Sequence, residues 1–484
     1  MFFCYKNHSK SITFALKKNY ILNYFTKKLP LPLLVFWFLA TFMTWLVSEH
    51  FFFWDTVQLA SKHAHHFYQN GFSSLLLPDE IDSGHPPIFG YLLAALWILF
   101  GKTLAISHCY ALFFLLILIF QTYHLGDFLF RKNGGIWFCS FLLASPVMAS
   151  QAVLVSPDVA LCAFFIMGLN GVFKQKNYLL SIATLGLAMT SMRGMMVVTV
   201  LFATFLYQNK DFFKENYQNI LFLIKKIIVP FLSAGLFAVA FLAWHFATKG
   251  WIGYFSGSTW AESFQSVGVK GFFKNIAIVA WRLADFGHIF IWLAGLYCFF
   301  QKKSTTQTTR FLALLLFSAL LLTPSALLYV GLSGHRYFLP IYIVSFLIIL
   351  DLVKNNYVKT ALIFGLLSGN FWVYPQPMAT GWDSTLAHLP YYSLRKEILD
   401  LIAENHLDIA RIGTAFPNYN ALETVDLNND NRHFAKKDFS QNKYIFYSNV
   451  MNDFSAEELQ TLQNTWKKRF FLQKGQVEVI LYEK

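Results

Sequence analysis

Long uncharged apolar runs recur along most of this chain, and they restrict it more than any motif does. Leu31–Val47, Tyr110–Phe120 and Phe311–Leu322 contain no charged residue. A helix needs about 20 predominantly apolar residues to cross the roughly 30 Å of hydrocarbon in a bilayer. One or two such runs are compatible with buried core helices of a soluble protein, but their repetition is not. Only 13% of the 484 residues are charged and 56% are hydrophobic, whereas a soluble domain is about a quarter charged. The sequence therefore predicts an all-α polytopic membrane protein.

The net charge of +13 invites a nucleic-acid reading, but its distribution opposes one. Lys6, Lys10, Lys17, Lys18, Lys27 and Lys28 precede the first apolar run, with no acidic residue among them. Further basic groups fall in short gaps between runs: Arg131–Lys132, Lys174 with Lys176, Lys302–Lys303 with Arg310, and Lys354 with Lys359. This is the positive-inside distribution, so membrane lipids are expected partners and nucleic acid is not. The N-terminus lacks the short apolar core and small-residue cleavage site of a signal peptide, and is read as a retained first helix. Cys4, Cys109, Cys139, Cys162 and Cys298 form no disulfide or metal-type spacing.

Placing the basic gaps in the cytoplasm predicts eleven crossings, near 31–53, 105–127, 134–154, 157–174, 178–190, 194–207, 225–247, 275–300, 310–332, 337–353 and 358–375. The stretch Tyr178–Tyr207 has basic flanks on both sides, so it is divided at Thr190–Gly194 with Arg193 at the turn. Ile88–Phe100 is too short to span and is laid along the outer interface. Three regions result: a cytoplasmic basic tail (1–30), a transmembrane domain (31–375) with its first outer loop at 54–104, and an extracytoplasmic α/β domain (376–484). In that last domain Leu394–Asn405 reads as an amphipathic helix, and Ile409–Gly413, Tyr444–Ser448 and Val477–Tyr482 as strands. Ser455 with Glu458 forms a capping box.

The first loop concentrates the polar chemistry. Trp54–Asp55 opens it, Ser61-Lys62-His63-Ala64-His65-His66 follows, and Asp79, Glu80, Asp82 and His85 come before Pro86–Pro87. A carboxylate at a cavity mouth becomes a better base near neutral pH when partly buried, and Asp55, expected directly after a rigid helix, is the leading candidate. His63 and His66 at i, i+3, with Asp82 or His85, could hold zinc, but no HExxH-type pattern occurs and no metal or other cofactor is assigned. Three arginines stand in apolar surroundings, where each needs a partner. Arg282 has Asp285 at helical spacing and reads as a structural pair. Arg193 and Arg336 have no acidic neighbour in sequence, and guanidinium groups bind phosphate in a bidentate manner. An anionic lipid head group held there, opposite Asp55, follows.

The order Trp54–Asp55, Ser83-Gly84-His85-Pro86-Pro87-Ile88-Phe89-Gly90 and Leu99-Phe100-Gly101-Lys102 resembles the first outer loop of GT-C glycosyltransferases. The nearest patterns are those of protein O-mannosyltransferases and aminoarabinose-type lipid transferases. Ser156-Pro157-Asp158, Thr190-Ser191-Met192-Arg193-Gly194 and His335-Arg336-Tyr337-Phe338-Leu339-Pro340 look like later motifs of the same superfamily. The resemblance covers about residues 31–353. It implies a polyprenyl-phosphate-linked sugar as donor and a lipid, glycan or protein acceptor, with inverting transfer on the outer face of a membrane, expected to be a bacterial inner membrane. Asp55 takes the role of base, Arg336 and Arg193 that of phosphate ligands, and His85, Asp82, Glu80 and Asp158 line the substrate. Thr56 stands where the family often has a second acid. The rival reading is a lipid or solute transporter; it predicts a repeat between halves and charges along a path through the bilayer, and the sequence has neither. A non-catalytic scaffold leaves the loop and the arginines unexplained.

Overall fold

The computed structural model describes residues 29–215, 220–257, 261–301, 305–374, 382–450 and 453–484. The lysines of the N-terminal tail, Lys302–Lys303 and the Pro375–Gln376–Pro377 linker lie outside them. The described part is a helical membrane bundle followed by a small sheet, as expected. Among the described residues three helices are long and apolar enough to span: Leu104–Phe130, Lys226–Lys249 and His335–Leu352; two bent pairs raise this to five. Eleven full crossings are not reproduced, because six other apolar helices have only 10–17 residues. Phe38, Trp45, Leu236, Val239 and Phe300 are more than 60% exposed on helices. So much large apolar surface is a liability in water and an ordinary lipid-facing surface in a bilayer.

Leu339–Leu352 is the central helix. It is apolar on all sides, and every one of its residues is buried, as a helix without a polar face requires. Pro340 sits in its first turn, where the missing N–H leaves no bond unmade. The long stretch after Tyr178 divides at Ser191 into Asn177–Thr190 and Met192–Gln208, within the expected window. Ser191 leaves helical geometry and its hydroxyl accepts the Gly194 N–H at 3.0 Å, the N-cap arrangement. Arg193 lies on the first turn of the second helix, not in the turn between them.

Two expected crossings break. Gly134–Ala144 and Pro146–Ala152 meet at 80°, and Val269–Ala284 and His288–Phe300 at 90°. In the second pair Phe286 and Gly287 both take positive φ, and a Cβ on Gly287 would lie 2.2 Å from the Gly365 carbonyl oxygen. The first helix also ends early, at Leu46 rather than 53. Ile88–Phe100 forms a 13-residue helix, packed so closely on His63–Asn70 that a Cβ on Gly90 would meet His63 Cβ at 2.4 Å.

The hairpin joining Leu104–Phe130 to Gly134–Ala144 depends on glycine. A Cβ on Gly126 would lie 2.5 Å from the Gly134 carbonyl oxygen, and one on Gly134 would lie 2.2 Å from that of Gly126. Both obstacles are backbone and cannot rotate away. Asp127 Oδ1 accepts the Gly135 N–H at 2.8 Å and ties the second helix to the first. Gly126→Val is expected to push the helices apart and cost about 1–3 kcal/mol, as overpacking does; the thermal midpoint of the detergent-solubilised protein measures it.

The C-terminal sheet has order β2-β1-β3-β5-β4: β1 Ile412–Thr414, β2 Ala435–Lys436, β3 Tyr444–Ser448, β4 Lys467–Lys474 and β5 Val477–Glu483. β1 runs parallel to β2 and β3, and β3, β5 and β4 are antiparallel. Residues 409–411 form a 3₁₀ turn, so the first strand starts three residues later than expected. The Ser455–Glu458 capping box is present with both of its bonds. Helix Pro390–Glu404 carries a buried face, including Leu394, Ile398 and Ile402.

This lobe is joined to the first loop by specific bonds. The Phe52 N–H donates to the Val425 carbonyl at 2.9 Å. The Ser61 hydroxyl donates to the Thr424 carbonyl at 2.6 Å. Glu423 binds Lys102 and lies 3.4 Å from His65 Nε2.

Candidate active site

Trp54 has φ +50, a rarely populated conformation for a bulky residue. Thr56 Oγ1 closes the preceding turn by bonding to the Phe53 N–H at 2.8 Å. Together they redirect the chain, so that Asp55 starts a new helix rather than following the end of the first. That helix contains a π-helical segment, Val57–Lys62, a feature frequent at functional sites. Asp55 thus does not follow directly on the first helix, as expected, but opens the next one.

Asp55 is buried and bonded to Arg336 Nη2. Arg336 also lies 3.3 Å from Asp383 and 3.7 Å from Asp158. Asp158 in turn accepts from Arg193 at 2.7 Å, and the Arg193 guanidinium stacks 3.9 Å above the Tyr337 ring. Three carboxylates therefore share two guanidiniums. Burial, aided by the Asp55 charge and only partly opposed by Arg336, pushes the Asp383 carboxyl above the ordinary carboxylate range. The partners missing from the sequence neighbourhood of Arg193 and Arg336 are thus supplied by distant segments.

Each of these residues starts an element. Asp158 is on the first turn of Pro157–Phe173, where Pro157 and the Ser156 cap set the entry. Arg193 is on the first turn of Met192–Gln208, and Arg336 directly precedes Leu339–Leu352. Helix N-termini carry partial positive charge and unpaired N–H groups, so their convergence favours an anion. Asp383 comes from the 3₁₀ turn Trp382–Ser384, held by Gln151 Nε2 donating to its carbonyl at 2.7 Å. No sequence motif marks Asp383; only the folded path past the linker brings it in.

His85 is half-buried, with its Nδ1 buried and without a hydrogen-bond partner. Burial first, then the Arg193 and Arg336 charges, lower its pKa to about 4, so the imidazole is neutral at physiological pH. Asp82 faces elsewhere: Oδ1 accepts the Gly84 N–H at 2.8 Å and Oδ2 lies 3.1 Å from His245 Nε2. The His245 partnership was not legible in sequence, the two residues being far apart in the chain. Gly84 has φ +69, and a Cβ there would meet the Gly253 carbonyl oxygen at 2.5 Å. Glu80 is exposed and makes no ion pair with a described residue, while Asp79 pairs with Lys249 at 2.7 Å.

The zinc combination does not assemble. His63 Nε2 bonds to the Ile81 carbonyl at 3.1 Å, Asn70 bonds to His66, and Asp82 is taken by His245. Among the described residues no group of three or more His, Cys, Asp or Glu converges on a common point.

The Arg282–Asp285 pair is present as a long ion pair at i,i+3. Arg282 Nη1 lies 4.0 Å from Asp285, whose carboxylate also bonds to His335 Nε2 at 2.8 Å, the Phe286 N–H at 2.8 Å and the Tyr374 hydroxyl. Arg282 is buried, its Nε and Nη1 make no hydrogen bond, and its guanidinium lies 4.5 Å from the Trp281 ring.

No protein-family model matches the sequence, and no curated protein matches it. Among solved structures, ArnT from Cupriavidus metallidurans bound to undecaprenyl phosphate is similar, with a TM-score of 0.50 at 10% identity. The match covers 93% of this chain and 97% of that one, so it takes in both the bundle and the C-terminal sheet. On this likeness the chain shares the overall fold of that ArnT structure.

Proposed function

We propose that this protein is an integral-membrane glycosyltransferase that takes a sugar from a polyprenyl-phosphate donor and passes it to an acceptor hydroxyl on a lipid, glycan or protein. The working membrane in this reading is a bacterial inner membrane, with the Asp55 end and the C-terminal lobe on its outer side. The observation carrying the proposal is the buried contact between Asp55 and Arg336 at one end of the bundle, where an acid–base group and a phosphate-binding group meet. The shared fold with a structure whose ligand is undecaprenyl phosphate supports the same donor class.

In the proposed reaction the acceptor oxygen attacks the anomeric carbon and its proton passes to Asp55. The bond from that carbon to the phosphate oxygen breaks with inversion, and polyprenyl phosphate leaves. Arg336 and Arg193 bear the negative charge that grows on the departing phosphate. In the resting state Arg336 is already held by Asp55. An arriving phosphate competes for that guanidinium and releases Asp55 to act as base, so donor binding arms the site. Neutral His85 and Arg282, whose Nε and Nη1 make no hydrogen bond, supply further hydrogen-bonding capacity nearby. Glu80, Asp82 and Asp158 are assigned to the substrate environment, Asp158 through its hold on Arg193.

The test is incubation of the purified protein with radiolabelled polyprenyl-phosphate sugars and a membrane extract. Sugar release or transfer supports the proposal. Failure of the wild type to consume any donor overturns it and favours transport. No metal takes part in this scheme, and turnover is expected to be unchanged by EDTA; loss restored by one divalent ion would overturn that.

A further inference from the structure

A cavity of about 270 Å³ lies at the end of the bundle away from Asp55. Leu339–Leu352 connects the two places: Arg336 precedes its first turn and Asp351 lies in its last, which at 1.5 Å per residue separates them by about 22 Å. The cavity is therefore distinct from the candidate active site. Arg131, Lys132, Lys354 and Lys359 line it, with Asp351 the acidic residue among them and Trp137 on its wall.

The carboxylate pairs with only one of these cations, Lys354. Asp351 Oδ2 accepts from the Thr305 and Thr308 hydroxyls at 2.6 and 2.5 Å, and Oδ1 is 3.6 Å from Lys354. Arg131, Lys132 and Lys359 form no ion pair with a described residue; Lys359 instead lies 5.2 Å above the Trp137 ring. Basic residues that serve only as a topological signal need not converge. Here the loop 131–133, whose Arg131 and Asn133 both take positive φ, and the segment after Leu352 bring cations from two hairpins to one hollow.

We infer that this cavity binds the phosphate head group of an anionic glycerophospholipid of the surrounding membrane. Its volume suits a head group and is below the 300 Å³ or more of a typical pocket for a whole small molecule. Basic pockets between helices at a membrane surface are where anionic head groups bind. The adjoining surface supplies a place for the acyl chains: Phe128 on one flanking helix and Tyr357 and Phe364 on another are 51%, 87% and 66% exposed. This inference stands whether or not the protein is a transferase.

The full-length protein in detergent is titrated with phosphatidylglycerol, phosphatidylcholine and inorganic phosphate, read by thermal midpoint and by phospholipid retained in native mass spectrometry. Phosphatidylglycerol is expected to bind and stabilise well beyond phosphatidylcholine. The variant Arg131→Gln/Lys132→Gln/Lys359→Gln is expected to weaken it about tenfold or more, while Lys132→Arg/Lys359→Arg retains it. A charge-matched control on the distant strand β4, Lys467→Gln/Lys468→Gln/Lys474→Gln, is expected to bind as the wild type does. Equal effects of the two lipids, or equal loss in the control, would overturn the inference. Saturable stabilisation by inorganic phosphate alone would replace the lipid with a soluble phosphate compound.

Discussion

Asp55→Asn is expected to reduce sugar transfer by about 10²–10⁴-fold, the usual contribution of a positioned general base, with little change in donor binding. The amide keeps the shape of the side chain and can still accept a hydrogen bond from Arg336, so the fold is retained. What it loses is the capacity to take the acceptor proton. Freeing Arg336 from a charged partner should leave donor affinity unchanged or improved, because the resting contact with Asp55 competes with the phosphate. Turnover and donor Kd, measured on the same preparation, separate these effects. Full turnover in Asp55→Asn would remove Asp55 from the role of base while leaving the fold assignment intact.

Arg336→Ala carries the second large effect, and it falls on both activity and stability. Loss of a preorganised group facing the leaving phosphate is expected to cost about 10²–10³-fold in turnover. The same change strips a counter-ion from Asp55, Asp158 and Asp383 at once. Removing one partner of a buried ion pair typically costs about 3–5 kcal/mol, and the thermal midpoint should fall accordingly. The double variant Arg336→Ala/Asp383→Asn distinguishes the two losses. It removes one of the stranded charges, so stability should recover in part while turnover stays low. Recovery of turnover together with stability would mean that Arg336 serves only to hold the carboxylates apart.

The membrane class and the position of Asp55 opposite Arg336 were legible because they rest on local signals: apolar runs, and single charges stranded in them. The break near Thr190–Gly194 was legible for the same reason, since basic flanks on both sides of one apolar stretch require a turn. What stayed hidden depends on tertiary contact. Leu31–Val47 is apolar throughout, and nothing in it marks that the helix ends at Leu46 and that residues 50–53 run as an extended segment onto the C-terminal lobe. The 90° bend after Ala284 depends on Gly287 meeting the Gly365 backbone, a contact between segments distant in sequence. Helical spacing marks the Arg282–Asp285 pair, which is present, but it cannot reveal that His335 and Tyr374 also bond to that carboxylate. Asp383 was overlooked because no pattern surrounds it.

The bonds between the first loop and the C-terminal lobe bear on how the protein is made. Asp55 leaves the ribosome about 330 residues before Asp383, an interval of roughly 15–65 s at about 5–20 residues per second. Until the lobe emerges, the Phe52 amide has no Val425 carbonyl to meet, Lys102 has no Glu423, and Arg336 lacks one of its three carboxylates. The nascent bundle thus holds an incomplete Asp55–Arg336 cluster, to which the segment carrying Asp383 is added late. A chain that ended before Asp383 would lack this third carboxylate and every bond from the first loop to the C-terminal lobe.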